Sequence, residues 1–88
     1  MSEIEAWLNG WFMAPVKDAD GKVLWEHRWA HPQGDVDYYE AGHLDSLGYI
    51  LLIEDIEHHF GFAFIRQDRR MNTIAGLAEV IGEHLQPR

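Results

Sequence analysis

Apolar residues recur at helical spacing in three separate stretches, and this periodicity constrains the fold more than any other feature of the chain. Ile4, Trp7, Leu8 and Trp11 form the first stripe, Tyr49, Leu52, Ile53, Ile56 and Phe60 the second, and Ile74, Leu77, Ala78, Ile81 and Leu85 the third. Each spacing puts the apolar residues on one side of a helix. Ser2 with Glu5 three residues on is a capping box that starts the first helix. That helix should end near Ala14-Pro15, because the residue before a proline is pushed out of the helical region. Asp45 or Ser46 opens the second helix and Gly61 closes it, while Asn72 or Thr73 caps the third. Three such faces turned toward one another make a small all-α bundle. With 88 residues, the whole span 1–88 reads as one domain with a modest core.

The segments between the stripes are less regular. "FAFIRQDRR" has room for no more than a turn of helix. The connection from Val16 to Leu44 is too long to be structureless in so small a domain. Within it "DADG" at 18–21 is a turn, and "KVLWEHRW" is compatible with an extended strand or with a helix. The economical expectation is that Trp25 and Trp29 pack on Trp7 and Trp11 as a satellite cluster.

Charge narrows the range of partners. The formal net charge is −8, and between Arg28 and Arg66 there is no Lys or Arg, whereas Asp35, Asp37, Glu40, Asp45, Glu54, Asp55 and Glu57 all fall there. Phosphate contacts need Lys and Arg, so nucleic acid is not an expected partner and basic proteins are. No apolar run approaches spanning length, so no membrane insertion is expected. "MSEIEAWLNG" has acids where a signal peptide carries a basic region, and there is no cysteine. Both features fit a cytoplasmic protein.

Ser46 stands between an aspartate and a leucine where the second helix begins. A nucleophile elbow wants glycine two residues before and two after the serine; Gly48 satisfies this and Leu44 does not. His43 is the nearest candidate base, but a hydrolase also needs an oriented base, an oxyanion hole and a cleft. No catalytic residue is assigned and the chain is not expected to be an enzyme. His27 and His31 are four apart and His58 and His59 adjacent, neither a recognised ligand spacing, so no metal is assigned. A phosphate ester on the serine is better matched to the position, since free backbone N–H groups and the positive end of the helix dipole favour a phosphodiester there.

At these residues the sequence resembles a known family. "YYEAGHLDSLGYILLIEDIEHHFGFAF" is similar to the acyl and peptidyl carrier proteins, whose D-S-L serine bears 4'-phosphopantetheine. The likeness runs from about Asp37 to Leu85. "YYEAGHLDSLG" resembles the "LFE-G-LDSLG" form of free-standing carriers, Phe60-Gly61 the end of their second helix, and "MNTIAGLAEVI" the entry to their last. The resemblance implies a four-helix bundle with a short third helix, here with an extended aromatic first loop. It implies that Ser46, flanked by Asp45 and Leu47, takes the arm from coenzyme A through a phosphopantetheinyl transferase. An acyl or aminoacyl ligase then loads the thiol, and a downstream transferase or synthase unloads it, in lipid or secondary-metabolite synthesis. It implies further that Leu47, Ile50, Leu51, Glu54, Asp55 and Glu57 meet basic partners, and that the carrier acts as a monomer.

Three features depart from the family pattern. The first connection is longer and more aromatic than usual, and either shields the loaded group or is read by one dedicated partner. Glu54 stands where fatty-acid carriers commonly have an apolar residue, which favours a short or polar cargo. Gly48 is expected to cost about 1 kcal/mol relative to alanine in a helix. The alternative reading is a protein-interaction module of the same fold without the arm.

Overall fold

The computed structural model describes residues 2–65 and 67–86. Helix α1 (Glu3–Met13) starts at Ser2, whose hydroxyl accepts from the Glu5 amide at 3.1 Å, and ends at Ala14, extended ahead of Pro15. Helix α2 (Ser46–Phe60) is capped by Asp45 and stops at Gly61, which takes up the left-handed conformation at φ 75°. A side chain would be strained at that φ, which makes glycine the fitting terminator. Helix α3 (Ile74–Leu85) is capped by Thr73, whose hydroxyl accepts from the Gly76 amide at 3.0 Å.

The first connection is not simply a loop. β1 (Val16–Lys17) pairs antiparallel with β2 (Val23–Trp25), Val16 opposite Trp25. Asp18 builds the turn between them, its carboxylate accepting from the Asp20 and Lys22 amides at 2.9 Å each, and Gly21 completes it at φ 83°. The ambiguity of "KVLWEHRW" is thus resolved as a strand, because β-branched Val16 and Val23 flank a turn whose backbone is satisfied locally.

This hairpin and the region before α3 correct the expected all-α four-helix bundle. Among the described residues there are three α-helices, a two-stranded sheet and one 3-10 turn, Arg69–Asn72. The expected short third helix is that turn alone. Asp68 caps it and Thr73 is already extended, so no residues remain to propagate α-helical hydrogen bonds. Arg66, in the same stretch, lies outside the described residues.

One core joins all three helices. Leu8 and Phe12 of α1, Leu52 and Ile56 of α2, and Ile74, Leu77 and Ile81 of α3 are fully buried or nearly so, together with Tyr38 and Met71. Phe12 was not part of the anticipated stripe. In α3 the buried stripe takes in Val80, and Leu85 is exposed. The stretch before α2 is tied down at both ends: the Phe12 carbonyl accepts from the Arg28 and Trp29 amides, and the Ala75 amide donates to the Gly34 carbonyl at 2.9 Å.

The four tryptophans do not cluster. Trp7 stacks on His59 at 4.8 Å, Trp11 carries the Arg28 guanidinium over its ring at 4.0 Å, and Trp29 is buried between Phe12 and His43. Trp25 remains 64% exposed. The hairpin turns Trp25 outward, while the backbone tie to Phe12 draws Trp29 in.

Tyr38 is fully buried and its hydroxyl donates to the Met71 carbonyl. Burial, reinforced by Tyr49 and Asp37, holds the phenol protonated well above its ordinary range. In the unfolded chain it ionises near pH 10. The contribution is therefore complete below about pH 10 and is lost as pH rises above it, by roughly 1.4 kcal/mol per pH unit. Urea unfolding between about pH 9 and 11 should show this decline, and Tyr38→Phe should make the slope shallower. An unchanged slope in the variant would show that Tyr38 does not drive the alkaline loss.

Candidate functional site

The site forms where the chain turns into α2. Asp45 is extended, and its carboxylate accepts from the Gly48 amide at 2.7 Å, which sets the direction of the first turn. Ser46 follows as the first helical residue, with its side chain exposed. The unpaired amides of a first turn and the helix dipole make this a favourable position for negative charge on the serine oxygen.

Ser46 Oγ lies 2.6 Å from the Tyr39 hydroxyl. Tyr39 is itself placed by a turn in which the Asp37 carboxylate accepts from the Tyr39 and Glu40 amides at 2.9 and 3.0 Å. Its ring meets Tyr49 edge-on, with centroids 6.1 Å apart. Sequence reasoning missed Tyr39. The only signal was the aspartate two residues earlier, which marks a turn but not where the phenol will point. His43 stacks flat on Trp29 at 4.3 Å with 8° between the planes. Among the described residues the hydrogen-bond partner of Ser46 Oγ is therefore Tyr39, and His43 is not oriented as its base.

The residues expected to meet partners divide into two groups. Leu47, Ile50 and Leu51 are exposed at 67%, 54% and 42%, and Glu54 is exposed beside them on the same face of α2. Asp55 and Glu57 are instead engaged within the molecule. The Trp11 indole donates to Asp55 at 2.7 Å, and the Phe64 amide donates to Glu57 at 2.7 Å. The latter bond holds the chain leaving α2 against its last turn. Gly48 sits under the Leu44 side chain, which a β-carbon there would approach to 2.8 Å. Its small size therefore serves packing inside the molecule.

A groove of about 420 Å³ runs beside the first turns of α2, between Leu47 and Leu51 on one side and Val16 and Trp25 on the other. Arg28, half-buried, lines it too. Burial lowers the pKa of its guanidinium, with Asp55 and Asp45 opposing that shift. On the Tyr39 side a second depression is lined by Tyr49, Gln67, Asp68, Arg69 and Asn72.

Three of the six histidines, His43, His59 and His84, pack against aromatic rings. His59 stacks on Trp7, and His84 lies against Phe62 while donating from Nδ1 to the Val80 carbonyl at 2.9 Å. Among the described residues no three His, Asp or Glu side chains converge as a metal-binding group. None of the described helices is long and apolar enough to cross a membrane. No family model matches the chain, and neither does any curated protein or solved structure.

Proposed function

We propose that the protein is a carrier whose Ser46 bears 4'-phosphopantetheine and whose thiol holds an acyl or aminoacyl group as a thioester. The observation that carries this reading is the exposed Ser46 hydroxyl at the first position of α2, with Asp45 capping the helix and Leu47, Ile50 and Leu51 exposed just beyond. In the attachment step Ser46 Oγ attacks the pantetheine-bearing phosphate of coenzyme A. The pyrophosphate P–O bond breaks, adenosine 3',5'-bisphosphate leaves, and the serine proton passes to the phosphopantetheinyl transferase. Once attached, the arm would supply a thiol for thioester chemistry carried out by a separate ligase and by a transferase or synthase. The carrier performs no chemistry of its own, and the reading places it in the cytoplasm with coenzyme A and reduced thiols.

The exposed α2 face suits a partner with apolar contacts inside a basic rim. Glu54 is the acid best placed to steer it, because Asp55 and Glu57 already serve internal bonds. Rim charges act mainly on association rate and its salt dependence.

A second reading is favoured by one observation, the Tyr39 hydroxyl already bonded to Ser46. On that reading the serine is a structural hydroxyl in a protein-interaction module with no arm. Intact mass after incubation with coenzyme A and a broad-specificity phosphopantetheinyl transferase separates the two. The carrier reading expects one phosphopantetheine on the parent and on Tyr39→Phe, and none on Ser46→Ala. A folded parent that gains no mass overturns it in favour of the interaction module.

A further inference from the structure

We infer that the groove between the hairpin and α2 is where the group carried by Ser46 rests: a short acyl thioester and the amide-bearing arm lie along Leu47 and Leu51, against Trp25. This rests on the carrier reading above. Ser46 is flanked in sequence by Asp45 and Leu47, and both line the groove. An arm leaving the serine has only to turn back across one helix, a width of about 10 Å.

The lining suits that occupant. Val16, Trp25, Leu47 and Leu51 offer apolar surface, and the volume of about 420 Å³ lies within the range of roughly 300–1,000 Å³ usual for small-molecule sites. Arg28 supplies the polar recognition. Its guanidinium is stacked on Trp11 at 4.0 Å and also feels the Asp55 and Asp45 carboxylates. Arg28 thus brings a guanidinium to the groove lining, a multiple N–H donor of the kind the amide carbonyls of the arm accept from. The space between the helices is taken by Leu8, Phe12, Leu52 and Ile56, all fully buried, which directs the cargo to the surface groove.

Tethering makes weak contacts sufficient. Although Ser46 Oγ itself faces Tyr39, a group on a flexible arm long enough to turn around α2 meets the groove at an effective concentration in the millimolar range, so millimolar intrinsic affinity keeps it occupied much of the time. The hairpin then has a function: it supplies the wall opposite α2, and Trp25 covers the thioester against water and stray nucleophiles. Leu47 and Leu51 are also the surface offered to partner enzymes, so docking competes with the resting position and releases the cargo to the partner that displaces it.

The test loads the full chain with coenzyme A, butyryl-coenzyme A or benzoyl-coenzyme A through a phosphopantetheinyl transferase, with intact mass confirming each form. In amide and indole proton–nitrogen spectra, acyl loading is expected to shift the Trp25 indole and the Val16, Arg28 and Leu51 amides. Hydroxylamine cleavage of the thioester is expected to quicken roughly fivefold in Trp25→Ala, the scale of one lost aromatic contact. Leu51→Ala, acting from the opposite wall, is expected to quicken it too. Leu24→Ala, on the same strand but not lining the groove, is expected to match the parent. Complete loading with shifts confined to Ser46 and its immediate neighbours, and equal cleavage rates in all variants, overturns the resting site and leaves the carrier reading standing. Failure to gain the arm overturns the carrier reading and the resting site together.

Discussion

Gly76→Ala is expected to destabilise the protein by about 3 kcal/mol, although alanine is the better helix former by about 1 kcal/mol. A β-carbon at Gly76 would stand 1.9 Å from the Arg70 carbonyl oxygen and 2.7 Å from its carbon. Both are backbone atoms of the 3-10 turn. That turn cannot easily retreat, because Arg70 is anchored to Asp68, Glu79 and Glu83 at 2.6 to 2.9 Å and Met71 beneath it is buried. Steric overlap with fixed backbone therefore outweighs the propensity gain. Gly82, in the same helix, has nothing within 4 Å of the corresponding position. Gly82→Ala is accordingly expected to stabilise by up to about 1 kcal/mol. Urea unfolding of both variants measures the contrast, and stabilisation by both would show that the turn yields to α3.

Phe12→Ala is expected to cost about 4 kcal/mol, the order found for removing a fully buried phenylalanine. A domain of 88 residues has roughly 4 to 13 kcal/mol to lose, so this one change brings it close to unfolding. Phe12 joins α1 to the first connection: its ring meets Trp29 edge-on at 5.6 Å and lies tilted against Tyr38 at 5.2 Å. Its carbonyl also receives the Arg28 and Trp29 amides, so the cavity opens beside the point where that connection is tied to α1. The loss is expected to reach the hairpin and the groove as well as the core. A lower urea midpoint together with faster amide exchange at Trp29 and Val23 would record this. A change of less than about 1 kcal/mol would mean that the surrounding side chains close the space.

Both changes bear on the proposed site at a distance. Gly76 sets how closely α3 approaches the turn below Tyr39, and Phe12 holds the segment that leads from the hairpin toward α2. Ser46 is presented by α2 alone, whereas the surfaces around it depend on how the other elements pack.

That division follows what was legible in the sequence. The start at Ser2 and the stop at Gly61 could be read directly, and the other two starts to within one residue, Asp45 or Ser46 and Asn72 or Thr73, because a cap bonds an amide only two or three residues away and the pattern is written in adjacent positions. The position of Ser46 at a helix start follows from the same local rule, whereas Leu47, Ile50 and Leu51 were singled out by the resemblance and their exposure is a property of the fold. The 3-10 turn and the hairpin were harder. Short elements have too few residues for a period to show, and the expectation of a fourth helix came from a resemblance rather than from the residues at 69–72. Other features were beyond any local reading. The Trp11–Asp55 bond spans 44 positions, and the Tyr39–Ser46 bond closes across a turn whose direction no side-chain pattern announces. Asp55 and Glu57 were expected at a partner surface from the resemblance alone, and no local pattern announced that each also accepts an internal hydrogen bond, from the Trp11 indole and the Phe64 amide. Local pattern was enough for the three helices, their terminal regions and the placement of Ser46 at a helix start. Long-range packing set which acids bond internally among the described residues, which tyrosine meets the serine, and that the hairpin and α2 flank a surface groove near it, since these depend on surfaces brought together from distant parts of the chain.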